Sequence, residues 1–441
     1  MSDRLPAPKL VAYGLPSLTL AALTLPLYLV VPTFYAESLG LSVAGIGYVL
    51  LLVRLFDAVN DPLAGYLGDR WRPGTGRRKT LFALAVPLAM LGAWKLFWPP
   101  ADADLTYLLI WSVVLSVAYT LVYLPYLAWG TELGTSYDER SRVAAFREIF
   151  TPVGTIIAVS IPFAIGWADP NSFHGLALLA AALVIALPLT SIIALIFVPE
   201  PNEYSKNSVS LTEGMRIIAG NRPFLRLAIA FFLSSFGSAV AATLFLLFVS
   251  ERLGLGEFRG PLLLLYLAFG IVGIPVWLHL SRKTSKHRTW CVALILATIA
   301  FFPTPFLPEG MIWPFAIVCI LTGLTAGADL LLGPSIKADV IDVDTAQSGE
   351  QRTAIYLALW SFLTKAALAL AVGLSFPLLD TFGFDASADG TSTALGISML
   401  GFFYGWGPIA LKLPALALMW NFPLTERDVV DLRKKIQTNS T

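Results

Sequence analysis

The stretch Arg54–Lys79, RLFDAVNDPLAGYLGDRWRPGTGRRK, begins inside an apolar run and ends in a basic loop. It sets three ionisable residues, Arg54, Asp57 and Asp61, among Leu, Val and Ala. The two acids are four apart, so on a helix they share one face, one turn from each other, with Arg54 three residues earlier on the same side. Charges at membrane depth are costly, and they face an aqueous path or a partner; they are therefore candidates for an ion or solute pathway. Asn60 adds an amide oxygen beside Asp61. Two carboxylates, an amide oxygen and one further oxygen suit a small hard cation. Thr120, in the middle of another apolar run, is the candidate for the further oxygen. If the ion is Na⁺, Asp57 and Asp61 are its metal ligands. The same acid pair suits a proton equally, because two neighbouring carboxylates repel when both are ionised. The residues leave Na⁺ and H⁺ both open.

The rest of the chain supports a membrane setting. Of 441 residues, 56% are hydrophobic and 13% charged, where a soluble globular domain is about a quarter charged. The expectation is an all-α, multi-pass membrane protein. Cys291 and Cys319 both fall in apolar runs and read as small packing residues. His174, His279 and His287 have no ligand spacing. No nucleotide-binding loop, catalytic triad, zinc signature or nucleic-acid motif is present, so the chain is not expected to be an enzyme, to carry a cofactor beyond a coupling ion, or to bind nucleic acid. The first apolar run is too long for a cleaved signal peptide and is expected to be a retained span.

A span needs ~20 apolar residues. Twelve such runs occur, at about 10–37, 42–68, 79–98, 104–133, 142–167, 173–198, 223–250, 258–280, 288–306, 311–341, 353–380 and 392–420. A long polar stretch divides six from six. The expected organisation is a six-helix bundle over 1–198, a linker over 199–222, a second six-helix bundle over 223–421 and a tail over 422–441. Arg70, Arg72, Arg77, Arg78 and Lys79, then Arg140 and Arg142, Arg282, Lys283, Lys286 and Arg288, and Arg433, Lys434 and Lys435 all fall on one side of this count. The opposite loops carry acids such as Asp102, Asp104, Asp169, Glu309, Asp380 and Asp385. Basic loops stay inside, so both termini are expected in the cytoplasm. RVAAF at Arg142–Phe146 and RTAIY at Arg352–Tyr356 open the fifth span of each half. Two parallel six-span repeats with a site between them are the major facilitator architecture.

Further polar residues lie within the spans. Tyr123 and Trp129 in span four, Arg147 in span five and Asp329 midway along span ten are the candidates for solute binding. The planar fork of Arg147 suits an anionic or hydroxylated solute. Asp329 is otherwise the structural partner of a cation on another helix. Asp339, Asp342 and Asp344 at the inner end of span ten read as capping and latching groups. Lys365 is a lone lysine near the midplane, expensive unless paired. With Arg54 it is assigned to coupling, and Asp57 and Asp61 are its expected partners from the other half.

RLFDAVNDPLAG at Arg54–Gly65, the basic loop after it, and ADVIDVD…GEQRTAIYLALWSFLTK at Ala338–Lys365 carry a resemblance. The chain resembles the glycoside–pentoside–hexuronide:cation symporters, the melibiose permease branch of the major facilitator superfamily, over almost its whole length. The resemblance implies that Asp57, Asn60 and Asp61, with Thr120 from helix four, build a cation site. It implies that Lys365 lies near that site and Arg147 near the sugar. The family's two sugar-binding acids fall near Ala21 and on Tyr123, so both carboxylates are missing here. The implied function is Na⁺- or H⁺-coupled symport of a small organic solute by alternating access. A sugar derivative or organic anion fits better than a galactoside. The branch also resembles animal lysolipid transporters, which makes efflux or flipping of an amphipathic molecule the alternative. A monomer in the plasma (inner) membrane is expected.

Overall fold

The computed structural model describes residues 5–70, 78–133, 137–164, 174–200, 218–348, 353–386 and 391–423. Twelve long helices occur among them: α1 (Ala7–Glu37), α2 (Val43–Arg70), α3 (Arg78–Phe97), α4 (Leu105–Leu133), α5 (Tyr137–Ala164), α6 (His174–Phe197), α7 (Arg222–Leu247), α8 (Arg259–Lys283), α9 (Lys286–Phe301), α10 (Ile312–Ser348), α11 (Thr353–Thr381) and α12 (Ala394–Trp420). Each overlaps one of the twelve apolar runs. Helices are what such runs must form in lipid, where every backbone N–H and C=O has to be satisfied within the segment. Eleven helices are long and apolar enough to cross a membrane among the described residues. The remaining one, α2, has 28 residues and carries Arg54, Asp57 and Asp61. Large apolar side chains such as Leu84, Ile185, Ile196 and Ile299 lie exposed, as a lipid-facing surface requires. The chain is a multi-pass integral membrane protein.

The chain divides into two compact units, Met1–Lys206 with Phe376–Thr393, and Asn207–Ser375 with Ala394–Thr441. In the first, α1 packs on α5 and α6, α2 on α4, and α3 on α4 and α6. Helices α1 and α5 meet backbone to backbone: a Cβ on Gly154 would stand 2.0 Å from the Leu18 carbonyl oxygen. Small residues at helix contacts are what lipid-embedded packing selects, since the apolar solvent supplies no hydrophobic drive. In the second unit α7 packs on α12, α8 on α10, and α9 on α10 and α12. Here α8 and α10 are in closest contact, with a Gly323 Cβ reaching 2.4 Å from the Tyr266 carbonyl oxygen.

Equivalent latches close one end of each unit. Arg78, the first residue of α3, holds Glu132 near the end of α4 at 2.8 Å, and its backbone N–H donates to Glu200 at 2.7 Å. Lys286, the first residue of α9, holds Asp339 near the end of α10 at 2.5 Å. Both pairs join basic loop residues to the ends of neighbouring helices. Arg72, Arg77, Arg352, most of the linker (201–217) and the tail from 424 onward lie outside the described residues, as do the side chains of Arg70, Arg140, Asp342 and Asp344.

Candidate functional site

The acid pair of α2 meets α4. Asp57 lies midway along α2 and is 2% exposed. One of its oxygens takes the Arg54 guanidinium at 2.5 Å, and the other accepts a close hydrogen bond from the Ser116 hydroxyl. One turn on, Asp61 accepts from the Thr120 hydroxyl at 2.8 Å. Ser116 and Thr120 are themselves four apart on α4. Two hydroxyls on one helix therefore face two carboxylates on the next in matched register, which the α2–α4 contact permits. Arg54 also lies over the Tyr28 ring of α1, 4.2 Å from its centroid, so its charge is shared between a carboxylate and an aromatic face.

Of the residues expected to form the cation site, Asp61 and Thr120 are hydrogen-bonded to each other, and Asp57, one turn away on α2, is engaged by Arg54 and Ser116. Asn60 sits on the same turn of α2, and its Nδ2 has no hydrogen-bond partner among the described residues. Turning the amide over would present its oxygen instead. Lys365 is half-buried on α11 in the second unit. Ser116 was not singled out in the sequence. Its only signal is the four-residue spacing to Thr120, which matches that of the acids.

A second polar region of the first unit centres on Arg147 of α5. Its guanidinium donates to Glu148 at 2.5 Å and lies within electrostatic reach of Tyr13, Tyr123 and Tyr126. Ser17 of α1 donates to the Arg147 carbonyl at 2.8 Å, pinning this turn of α5 to α1. Tyr123 stacks on Tyr119 with ring centroids 5.3 Å apart. Tyr13 and Tyr126 exchange hydrogen bonds, each hydroxyl donating to the other residue's carbonyl, at 3.1 and 2.6 Å. Trp129 is fully enclosed. Its indole N–H donates to the Pro199 carbonyl at 2.8 Å and its ring packs against Tyr13 and Phe82. It ties α4 to the end of α6 and offers no free surface to a solute.

Asp329 lies in the second unit. Its Oδ1 accepts from Trp290 Nε1 of α9 at 2.6 Å, and its Oδ2 faces Lys412 Nζ of α12 at 3.9 Å. The cation expected on another helix is Lys412.

The chain matches the family model described as MFS/sugar transport protein over residues 12–426. It belongs to that family. Sodium-dependent lysophosphatidylcholine symporter 1-A of Danio rerio is 24% identical over 86% of this chain and 78% of its own. The glucuronide carrier protein homolog of Escherichia coli (strain K12) is 23% identical over 92% of this chain and 91% of its own. Among solved structures, the nucleoside transporter NupG superposes with a TM-score of 0.66 at 12% identity, over 95% of this chain and 100% of that one. A bacterial homolog of the human lysosomal transporter Spinster gives 0.65 at 14% identity, over 98% and 97%. These structures share the fold: an all-α, twelve-helix major facilitator architecture. Family and fold are those of membrane transport proteins.

Proposed function

We propose that the chain is a cation-coupled symporter whose ion binds at Asp57 and Asp61, assisted by Thr120, Asn60 and Ser116. The observation that carries this reading is the register of two buried carboxylates on α2 against two hydroxyls on α4. These groups gather the oxygen ligands that a small hard cation takes. Arg54 is the positive group that shares Asp57 with the ion, and Lys365 is assigned to coupling. Ion and solute sites are linked by a free energy that acts equally in both directions. The relatives whose names state sodium dependence support Na⁺ as the ion. The one-sided distribution of Lys and Arg supports cytoplasmic termini, and the plasma (inner) membrane is the proposed location. The working unit is taken to be a monomer.

The solute is a small organic molecule, and Arg147 and Tyr123 are its proposed contacts in the first unit. With Ala21 and Tyr123 where the family carries its two sugar-binding acids, and Arg147 retained, this region favours an acidic sugar or another organic anion over a neutral galactoside. The likeness to the glucuronide carrier homolog agrees with that choice. A lysolipid-like solute is the second reading, favoured by the lysophosphatidylcholine symporters among the relatives; its anionic phosphate would meet the same arginine.

The test is thermal unfolding of the purified protein in Na⁺, Li⁺ or choline, with Asp61→Asn beside it. A ligand at about 100 times its Kd adds ~2.7 kcal/mol to native stability. Stabilisation by Na⁺ that the variant loses is the expected result. A pH effect without a sodium effect, abolished by the variant, would make the carrier proton-coupled. No response to either ion would overturn the cation-coupled reading.

A further inference from the structure

The seam between α2 and α4 continues one turn beyond the acid pair. Asp57 meets Ser116 and Asp61 meets Thr120, each across the same 59 positions, so the two helices run in one direction in matched register. Toward their N-terminal ends, Arg54 lies three residues before Asp57, and Ser112 lies four before Ser116. At about 1.5 Å of rise per residue these are steps of about 4.5 and about 6 Å, so Arg54 and Ser112 reach nearly the same height on neighbouring helices. Arg54 shares the face of Asp57, as its 2.5 Å ion pair with that acid shows. Ser112 shares the face of Ser116 and Thr120, one turn from each to the next.

Each of these two residues carries a buried polar atom that is left over. Ser112 is 0% exposed, and its hydroxyl has no hydrogen-bond partner among the described residues. Nor has Nε of Arg54, whose Nη1 is the nitrogen on Asp57. Hydroxyls elsewhere in these helices donate to the carbonyl four residues back, as Thr155 and Ser160 do on α5. Ser112 does not. Buried polar groups without a partner are rare, and each costs stability. Here one is an N–H donor and the other can accept, so each lacks what the other supplies. Arg54 is meanwhile held by Asp57 and by the face of Tyr28. Val53, which the register sets opposite Ser112, has no polar side-chain group to compete for the hydroxyl.

We propose that Ser112 is the acceptor to which Arg54 turns when a cation enters the α2–α4 cluster. This rests on the reading of Asp57 and Asp61 as the ion site. A second positive charge beside Asp57 repels the guanidinium and competes with it for the carboxylate. The guanidinium then tilts toward the N-terminal end of α4. It keeps Nη1 near Asp57 and donates its Nε–H to Ser112 Oγ. Ser112 is thus a positioning residue, which touches no ion and acts through Arg54. The two unpaired atoms are a standing cost of the ion-free form, and their pairing favours the ion-bound form. Affinity for the ion rises without another ligand being added.

Isothermal titration of the purified full-length protein with Na⁺ tests the proposal, with thermal unfolding in choline as the ion-free measure. Ser112→Ala should weaken Na⁺ binding about tenfold, the worth of one hydrogen bond to a charged group. It should leave unfolding in choline unchanged. In an Arg54→Gln background the same substitution should have no effect on Na⁺ binding, because the group that Ser112 serves is gone. Should Arg54→Gln not fold, Arg54→Lys takes its place, keeping a positive charge for Asp57 without an Nε–H. An effect of Ser112→Ala that persists in that background makes Ser112 a direct ligand of the ion and overturns the proposal. Destabilisation by Ser112→Ala already in choline overturns it too, since the hydroxyl is then in use without the ion. Unchanged Na⁺ binding in Ser112→Ala, beside normal binding by the native protein, overturns this proposal alone. No Na⁺ binding by the native protein overturns the sodium reading of the cluster, and the proposal with it.

Discussion

The two units solve the same problem in opposite ways. Each must hold charged side chains inside helices that face lipid, and each uses hydroxyls four residues apart on a neighbouring helix. In the first unit the hydroxyls of Ser116 and Thr120 point at carboxylates. In the second, the hydroxyls of Ser234 and Ser238 receive an ammonium. The direction of the hydrogen bond decides what else the site can hold. Hydroxyls turned toward acids add oxygens beside carboxylates, the ligand type that a small hard cation takes. Hydroxyls that already serve an ammonium bring the cation with them. The chemistry of a polar cluster in a membrane bundle is therefore read from what its neutral members face, as well as from the sign of its charges.

The largest expected effect breaks the first arrangement. Asp57→Asn or Asp61→Asn should abolish cation-driven uptake in vesicles, together with all of the sodium-dependent stabilisation, ~2.7 kcal/mol at about 100 times the Kd. If Asp57→Asn left uphill uptake intact, the α2–α4 cluster would not be the coupling site. The second arrangement should break differently. Lys412→Met leaves Asp329 without its counter-charge, and removing one partner of a buried pair costs about 3–5 kcal/mol. Because Asp329 is 28% exposed, the lower part of that range or somewhat less, about 2–3 kcal/mol, is expected. Unfolding in detergent measures it. Adding Asp329→Asn should recover most of the loss; a double variant as unstable as Lys412→Met would mean that the lysine acts through packing rather than charge.

A smaller effect is expected at the latches that the two units share in form. Arg78 and Glu132 are both mostly enclosed, whereas Lys286 is 39% exposed opposite a buried Asp339. A double-mutant cycle on Arg78→Gln and Glu132→Gln should give a coupling of about 1–3 kcal/mol. The same cycle on Lys286→Gln and Asp339→Asn should give less, since solvent screens the exposed partner. Equal couplings would remove burial as the distinction between them.

Much of this was legible before any coordinates. The apolar runs coincide with the twelve long helices among the described residues, because membrane helices are bounded by where apolar sequence stops; α2, which carries Arg54, Asp57 and Asp61, is the one outside the eleven long and apolar enough to cross a membrane. Asp57, Asp61 and Thr120 were also legible, since a four-residue spacing fixes a helix face and the family resemblance supplied the partner helix. Lys412 and Trp290 were not. Spacing shows which residues share a face, but it is silent on which helix that face meets, so Asp329 pointed to a cation without revealing its address. Trp129 misled for a related reason. An aromatic one turn from a helix end has the same sequence whether it lines a solute path or, as here, closes on a backbone carbonyl just past the end of another helix.

The finest distinction concerns the hydroxyls themselves. Thr120→Ala removes one oxygen from beside Asp61 and should weaken cation affinity by about tenfold or less, the ~1 kcal/mol worth of one hydrogen-bonding group. Ser116→Ala should act in the same direction, but by less, because Asp57 keeps its Arg54 contact at 2.5 Å. Ser238→Ala should leave cation affinity unchanged, since its hydroxyl serves Lys412. Isothermal titration with Na⁺ ranks the three. If Ser238→Ala weakened sodium binding as much as Thr120→Ala, the two clusters would be energetically coupled, and the division of labour between acid-facing and ammonium-facing hydroxyls would fail.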